Sequence, residues 1–258
     1  MNAAHSAVLA GLWLLAHCVG ALAAVPRFVS AAVADPARPA QQVSLDPWRK
    51  PAEVLAFSGV KPGNRVADFM PGNAYFTRLL SDIVGPSGRV YAFVPDEQVA
   101  HCAPGEIAGT RALAAERHYA NVQLLYGAAQ RFAVAEPLDL VWIAQDYHDL
   151  HDKFMGPTDV ARFNAAVFRA LKPGGTFLVI DHAAEAGSGL RDTETLHRID
   201  RDSIVREVTA AGFALQAESD VLRNRADTHR LAVFNAAIRH RTDQVVLRFR
   251  KPPAPAQL

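Results

Sequence analysis

The chain has 258 residues, half of them hydrophobic, which is enough for one α/β domain with a substantial buried core. Its 27 Lys and Arg residues are nearly balanced by 26 Asp and Glu residues. This balance excludes the strongly basic character of many nucleic-acid-binding proteins, so no nucleic-acid partner is predicted.

The N-terminus has the pattern of an export signal. Residues 7–24 are almost wholly apolar, and small-x-small cleavage sequences end at Ala23 and Ala34. Cleavage at either site would give a periplasmic protein. An uncleaved segment 7–24 is about long enough to span a bilayer and would anchor the chain in the inner membrane. Contact with a membrane is therefore expected only if this segment is retained.

The next residues show little regular pattern. Residues 25–45 are rich in Ala, Pro and polar residues without a clear period, which predicts a linker. We therefore divide the chain into a signal peptide and early linker at 1–34, a folded domain at 35–251 and a disordered tail at 252–258. A short helix is expected at 52–58, ended by Gly59.

Strands and helices then alternate along the chain. Strands are predicted at 65–68, 89–94, 121–126, 138–144, 176–181, 213–221 and 244–249. Helical stretches are predicted at 75–84, 96–119, 158–171 and 201–211. Strands separated by helices favour a doubly wound α/β fold, with a mostly parallel sheet and helices on both faces.

The turn after the first strand is the most informative segment. The strand ends at Asp68, a tight turn follows at Pro71 and Gly72, and a helix begins near Tyr75. Open α/β sheets form nucleotide pockets from this pattern, in which a strand is followed by an acidic residue, a glycine turn and a helix. Gly72 has no Cβ, so a ligand can approach its backbone closely.

Residues 68–74 resemble the first motif of class I S-adenosylmethionine (SAM) methyltransferases, Asp-x-Gly-x-Gly-x-Gly. Asp68 and Gly72 match the acid and the middle glycine, whereas Met70 and Ala74 stand where the other two glycines would be. Further similarity lies at 60–66, 84–91, 170–177 and 210–213. Within this superfamily the chain is similar to an exported bacterial subgroup described as predicted methyltransferases.

The resemblance implies a Rossmann-like sheet of seven strands with an antiparallel last strand, and SAM as the cofactor. An acid after the second strand holds the ribose hydroxyls in such enzymes. Here Val94 and Pro95 end that strand, so either Asp96 or Glu97 takes this role or the contact is absent. The cofactor-binding residues implied are Asp68, Gly72, Asn73, Tyr75, Asp96, Glu97 and Asp146.

The loop after the fourth strand, 145–151, is the best catalytic candidate. Methyl transfer needs positioning of the reactants, and a base where the acceptor is protonated. His148 or His151 is the predicted base, and Asp146 or Asp149 would orient the imidazole or hold the methionine amine of the cofactor. The alternative is a polar loop cap, in which Asp146 accepts backbone N–H bonds.

No metal site is predicted, because no tight ligand spacing is present. Suitable ligand types nevertheless follow the fourth and fifth strands, at Asp146, His148, Asp181 and His182. His197 and Arg198 either face the pocket or belong to a solvated segment.

The sequence therefore predicts SAM-dependent methyl transfer to a small-molecule acceptor. The alternative is an exported protein that keeps the fold without catalysis and acts as a small-molecule binding module. Basic residues between 223 and 251 form either a solvated face or a site for an anionic acceptor.

Overall fold

The computed structural model describes residues 24–101, 105, 107–156 and 158–253. Most of the predicted export signal and most of the predicted tail lie outside these residues. No helix within the described part of the chain is long and apolar enough to cross a membrane.

The described residues form a sheet of seven strands in the order β3-β2-β1-β4-β5-β7-β6. The strands are β1 Arg65–Phe69, β2 Arg89–Pro95, β3 Val122–Gly127, β4 Leu138–Ala144, β5 Leu171–His182, β6 Ala214–Glu218 and β7 Gln244–Arg250. The first five run parallel, whereas β7 is antiparallel to both of its neighbours. The predicted doubly wound sheet with an antiparallel last strand is confirmed.

Helices cover both faces of this sheet. They are α1 Arg27–Val33, α2 Ala40–Val43, α3 Asp46–Arg49, α4 Pro51–Ser58, α5 Tyr75–Val84, α6 Asp96–His101, α7 Ala108–Ala115, α8 Val160–Ala170, α9 Thr193–Leu196 and α10 Arg201–Ala210. Helices α8 and α10 bury apolar side chains on one face, and α1, α4, α5 and α7 do so on the other. Alternate residues of β4 therefore enter different cores, with Val141 on one side and Trp142 on the other.

The segment predicted as a linker is largely helical. Helix α1 buries Val29 and Ala32 on one side, three residues apart, against α4 and α5. The expectation of irregular structure is wrong for α1 and α2, because this apolar spacing is too short to stand out in an alanine-rich segment. Packed structure thus begins at or before Arg27, ahead of the domain limit predicted at residue 35.

Some predicted boundaries also shift. Strand β5 begins at Leu171 rather than at Thr176, so the Gly174–Gly175 pair lies within the strand rather than before it. A Cβ on Gly175 would lie 2.9 Å from the Lys172 carbonyl oxygen, and this close approach explains the glycine. Strand β6 is shorter than predicted and ends at Glu218.

Candidate functional site

A cavity of about 250 Å³ opens at the carboxyl ends of β1 and β4. These strands are neighbours, and the strand order reverses between them, which is where open α/β sheets bind ligands. The ends of the two strands, the loops that follow them and the start of α5 line the cavity with Asp68 and residues 70–73, 75–76 and 144–146. The N-terminal segment adds Gln42, Leu45 and Arg49.

The turn that forms one wall has a left-handed backbone at alternate positions. The φ angles are +57° at Met70, +53° at Gly72 and +62° at Ala74. These are the three positions at which the resembled motif has glycine. The chain therefore keeps the backbone conformation that glycine favours, although two of the three residues carry a side chain.

Neighbouring helices hold this turn through its carbonyl groups. Gln42 Nε2 donates to the Asn73 carbonyl oxygen at 2.9 Å, and Thr110 Oγ1 donates to the Gly72 carbonyl oxygen at 2.7 Å. Gly109 of α7 lies so close that a Cβ there would be 3.0 Å from the Asn73 carbonyl oxygen. The turn is thus supported from both α2 and α7.

Asp68 presents a buried carboxyl group to the cavity. Its Oδ2 accepts a hydrogen bond of 2.6 Å from Thr77 Oγ1, and the residue is only 3% exposed. Burial raises the pKa of Asp68 to about 7, against the opposing effects of Thr77 and Arg49. A cationic ligand beside this group would favour its charged form.

Arg49 also lines the cavity, although it was not among the binding residues predicted from the sequence. Its guanidinium lies 4.4 Å from the centre of the Tyr75 ring, and Tyr75 Oη donates to Asp46 Oδ1 at 2.6 Å. Burial lowers the pKa of Arg49. Within the described residues Arg49 has no ion-pair partner, so its charge is available to an anionic ligand. The Asp46-Pro47 pair at the start of α3 was the available sequence signal for a helix here.

Asp146 lines the cavity from the end of β4. It follows Gln145, whose φ of +73° is strained for a residue with a side chain. Burial raises the pKa of Asp146 well above its ordinary value, and the carboxylates of Asp149 and Asp181 add to this effect. Among the predicted catalytic residues, this is the one that reaches the cavity.

His148 does not have the geometry of a general base in this structure. Its Nδ1 lies 2.8 Å from Asp181 Oδ1, its Nε2 lies 3.0 Å from Asp149 Oδ1, and the residue is 2% exposed. Burial opposes its charge, but these two carboxylates hold the pKa of His148 well above its usual value. With both ring nitrogens engaged, the imidazole has no free lone pair for a substrate proton.

His151 points toward α10 instead of the cavity. Its Nε2 lies 3.1 Å from Glu207 Oε2, which also accepts a hydrogen bond of 3.0 Å from Tyr147 Oη. Asn164 Nδ2 donates to the same Tyr147 oxygen at 2.8 Å. This network fastens the loop to the helix layer and argues against His151 as the base.

The predicted ribose ligands lie outside the cavity wall. Asp96 is exposed at the start of α6. The carboxylate of Glu97 accepts a hydrogen bond of 3.0 Å from the Ala129 N–H, so it supports the turn after β3. Among the described residues, Asp96 has no hydrogen-bond or ion-pair partner, so it is the more available acid of the two.

His197 and Arg198 were expected to face either the pocket or solvent. Neither residue lines the cavity. Arg198 is fully buried, and its Nη2 lies 2.9 Å from Asp227 Oδ2 in the long connection between β6 and β7. His197 has a left-handed backbone with φ of +53° and lies beside the loop after β4.

Comparison with known proteins gives sequence matches to C-methyltransferases. No protein-family model matches the chain. It is 32% identical over 129 residues to the ubiquinone/menaquinone biosynthesis C-methyltransferase UbiE of Ectopseudomonas mendocina (strain ymp), a stretch that covers 49% of this chain and 45% of that protein. The chain thus matches less than half the length of this relative.

Solved structures share the fold at low sequence identity. A SAM-dependent methyltransferase from Aquifex aeolicus is 17% identical with a TM-score of 0.55, over 83% of this chain and 98% of that one. The [4+2]-cyclase SpnF is 17% identical with a TM-score of 0.58, over 85% and 84%. The second example shows that the fold alone does not decide the reaction. The chain therefore has the fold of a solved SAM-dependent methyltransferase, and about half of it is similar in sequence to the UbiE C-methyltransferase.

Proposed function

We propose that the protein binds SAM in the cavity between β1 and β4 and transfers its methyl group to a small-molecule acceptor. The observation that carries this proposal is the left-handed turn at 70–74 with a buried acid, Asp68, beside it at the reversal in strand order. The UbiE match supports methyl transfer as the reaction class.

The charges around the cavity suit the amino-acid part of SAM, which carries an ammonium group, a sulfonium and a carboxylate. Asp68 and Asp146 supply negative charge for the cationic groups, and Arg49 supplies a cation for the carboxylate. The cavity is slightly smaller than the about 300–1,000 Å³ of typical ligand pockets. The nucleoside part would therefore extend past the end of β2, where Asp96 is exposed.

SAM supplies a methyl group on a positively charged sulfur, and the protein's task is to align the acceptor with it. Asp146 is the residue for that task in our proposal, because it is the predicted catalytic residue that lines the cavity. Burial raises the pKa of Asp146, which makes its carboxylate a stronger base toward an acceptor proton when the cationic sulfonium beside it favours the charged form.

We also propose that the chain is exported and cleaved after Ala23. The apolar run at 7–24 supports export. Cleavage after Ala34 would remove α1 and expose the core against which Val29 packs. N-terminal sequencing tests this proposal. A chain that starts at Ala24 would support cleavage, whereas a chain in the membrane fraction that still carries residues 7–24 would show retention in the inner membrane.

The deciding experiment is calorimetric titration of the chain from Ala24 onward with SAM and with S-adenosylhomocysteine. We expect micromolar binding, about −8 kcal/mol. Asp146→Asn should weaken this binding, because it removes a negative charge from the cavity wall, and should abolish transfer even at saturating SAM, because the amide cannot take up the acceptor's proton. Absence of binding at millimolar cofactor, in protein shown to be folded by circular dichroism, would overturn the proposal.

A further inference from the structure

Two loops at the carboxyl edge of the sheet bring four ligand-type side chains together. The loop after β4 provides His148, Asp149 and Asp152, and the turn after α9 provides His197. One donor atom from each lies within 4.8 Å of the corresponding atoms of the other three. The four residues span 49 positions, from His148 to His197, so only the fold assembles them.

The distances in this cluster are close to those of a coordinated ion. His197 Nδ1 lies 3.8 Å from Asp149 Oδ1 and 3.8 Å from Asp152 Oδ2, and His148 Nε2 lies 3.0 Å from Asp149 Oδ1. Ligand atoms around a tetrahedral ion at roughly 2.1 Å stand about 3.4 Å apart. These pairs would need to move by only a few tenths of an ångström.

Asp152 supplies a second, independent observation. It is 3% exposed, and its Oδ1 is buried with no hydrogen-bond partner among the described residues. Its Oδ2 faces His197. An unpaired carboxylate oxygen in the interior is costly unless another group satisfies it. A bound cation would satisfy this carboxylate.

His148 is already oriented for ligation. Asp181 Oδ1 lies 2.8 Å from His148 Nδ1, and Asp181 Oδ2 accepts a hydrogen bond of 2.7 Å from the His148 backbone N–H. Histidine ligands commonly donate their second ring N–H to a carboxylate, which fixes the tautomer and the ring plane. Here that arrangement turns Nε2 toward the cluster.

The surrounding charge also favours a cation. Three carboxylates, those of Asp149, Asp152 and Asp181, meet at the cluster. The guanidinium of Arg198, which is close in sequence, is committed to Asp227.

We propose that His148, Asp149, Asp152 and His197 form a binding site for a divalent transition-metal ion. Two imidazoles with two carboxylates favour an ion such as Zn²⁺ over Mg²⁺ or Ca²⁺, which prefer all-oxygen sites. The ion would tie the loop after β4 to the turn after α9, beside the cofactor cavity. The site does not depend on SAM binding. This proposal differs from the prediction from sequence, which was that no metal site is present. Of the four possible ligands named from the sequence, only His148 belongs to the proposed site.

The test is titration of the chelator-stripped full chain with Zn²⁺ and, separately, with Co²⁺. We expect one equivalent of either ion, a visible Co²⁺ absorption band and a higher thermal midpoint. Asp152→Asn and His197→Asn should weaken binding at least tenfold, as should Asp181→Asn through the orientation of His148. His197→Asn suits the left-handed backbone, because Asn tolerates this conformation.

A matched control is His118→Ala. His118 belongs to a separate group with Asp35 and Asp82 on another part of the surface, and its loss should leave binding unchanged. The proposal is overturned if folded wild-type chain binds neither ion, if both Asp152→Asn and His197→Asn bind as tightly as wild type, or if His118→Ala abolishes binding. Circular dichroism of each variant separates loss of ligands from loss of fold.

Discussion

At the scale of single residues, Asp68 shows how burial changes the pKa of the acidic residue in the turn motif. Its carboxyl group is enclosed by the end of β1 and the start of α5, and it accepts a hydrogen bond from Thr77 Oγ1. Burial therefore raises its pKa to about 7. The group is poised to lose its proton when a cationic ligand arrives.

The raised pKa of Asp68 predicts a pH-dependent stability. A carboxyl whose folded pKa lies above its unfolded value binds its proton more tightly when folded, so its contribution is present below pH 4 and is lost as pH rises through about 7. The difference amounts to about 4 kcal/mol at most. Urea unfolding from pH 4 to pH 8 should show this loss in the wild type and a flatter profile in Asp68→Asn.

Asp202→Asn is the control for that comparison, because the Asp202 side chain is 71% exposed and should not alter the profile. Equal slopes for wild type and Asp68→Asn would show that Asp68 is ionised in the folded protein at all these pH values.

Arg49 gives a second residue-scale prediction, which rests on the proposed function. Arg49→Met should weaken SAM binding by about 10- to 100-fold, since a charged hydrogen bond contributes about 1.5–3 kcal/mol. Binding of a SAM analogue without the carboxylate should be unchanged by the substitution. Calorimetry with both ligands measures the difference in affinity. An equal loss of affinity for both ligands would show that Arg49 does not bind the carboxylate of SAM.

At the scale of elements, the turn at 70–74 shows that a left-handed backbone conformation can be kept without the glycine that usually adopts it. Ala74 keeps a left-handed backbone without being glycine, and its side chain is fully buried. A left-handed alanine costs roughly 1–2 kcal/mol, which the packing around the turn must offset. The hydrogen bonds from Gln42 and Thr110 contribute to this support.

Ala74→Gly should therefore be nearly neutral. The relief of backbone strain offsets the loss of a buried methyl group, about 0.8 kcal/mol, so we expect a change in unfolding free energy within about 0.5 kcal/mol. Ala67→Gly in β1 is the matched control, because Ala67 is equally buried in extended backbone. It should cost about 1.5–2 kcal/mol. Similar losses in both variants would mean that the turn is unstrained.

At the scale of the whole molecule, the N-terminal helices complete both the core and the cavity. Helix α1 packs on α4 and α5, and the Arg38–Asp46 ion pair, with 2.7 Å between Arg38 Nη2 and Asp46 Oδ1, holds the segment that follows. That segment carries Arg49 to the cavity. The site therefore depends on residues that lie well before β1.

A chain that begins at Asp35 should be less stable than one that begins at Ala24. Loss of α1 exposes the partners of Val29 and Ala32, and we expect a decrease in unfolding free energy of about 3–5 kcal/mol. Val29→Ala in the longer chain should cost about 2 kcal/mol. Urea denaturation measures both changes, and equal stability of the two chains would show that α1 does not contribute to the core.

The strands and most helices were predictable because their signals are local. The continuous apolar run of β4 and the acid–glycine turn after β1 can be read from neighbouring residues. Helix α1 was not predictable in this way, because its stability comes from contacts with α4 and α5 rather than from its own seven residues. The same holds for Arg198, whose buried partner Asp227 is distant in sequence.

Local sequence patterns encode the strands and helices of the sheet, their order along the chain and the turn at 70–74, because apolar segments and turn residues act over short distances. The pairing of polar side chains depends instead on the folded arrangement. This arrangement turned His151 toward Glu207, enclosed His148 between two carboxylates and brought Arg49 to the cavity. Side-chain direction and pairing depend on packing between segments far apart in the chain, and no local pattern encodes them.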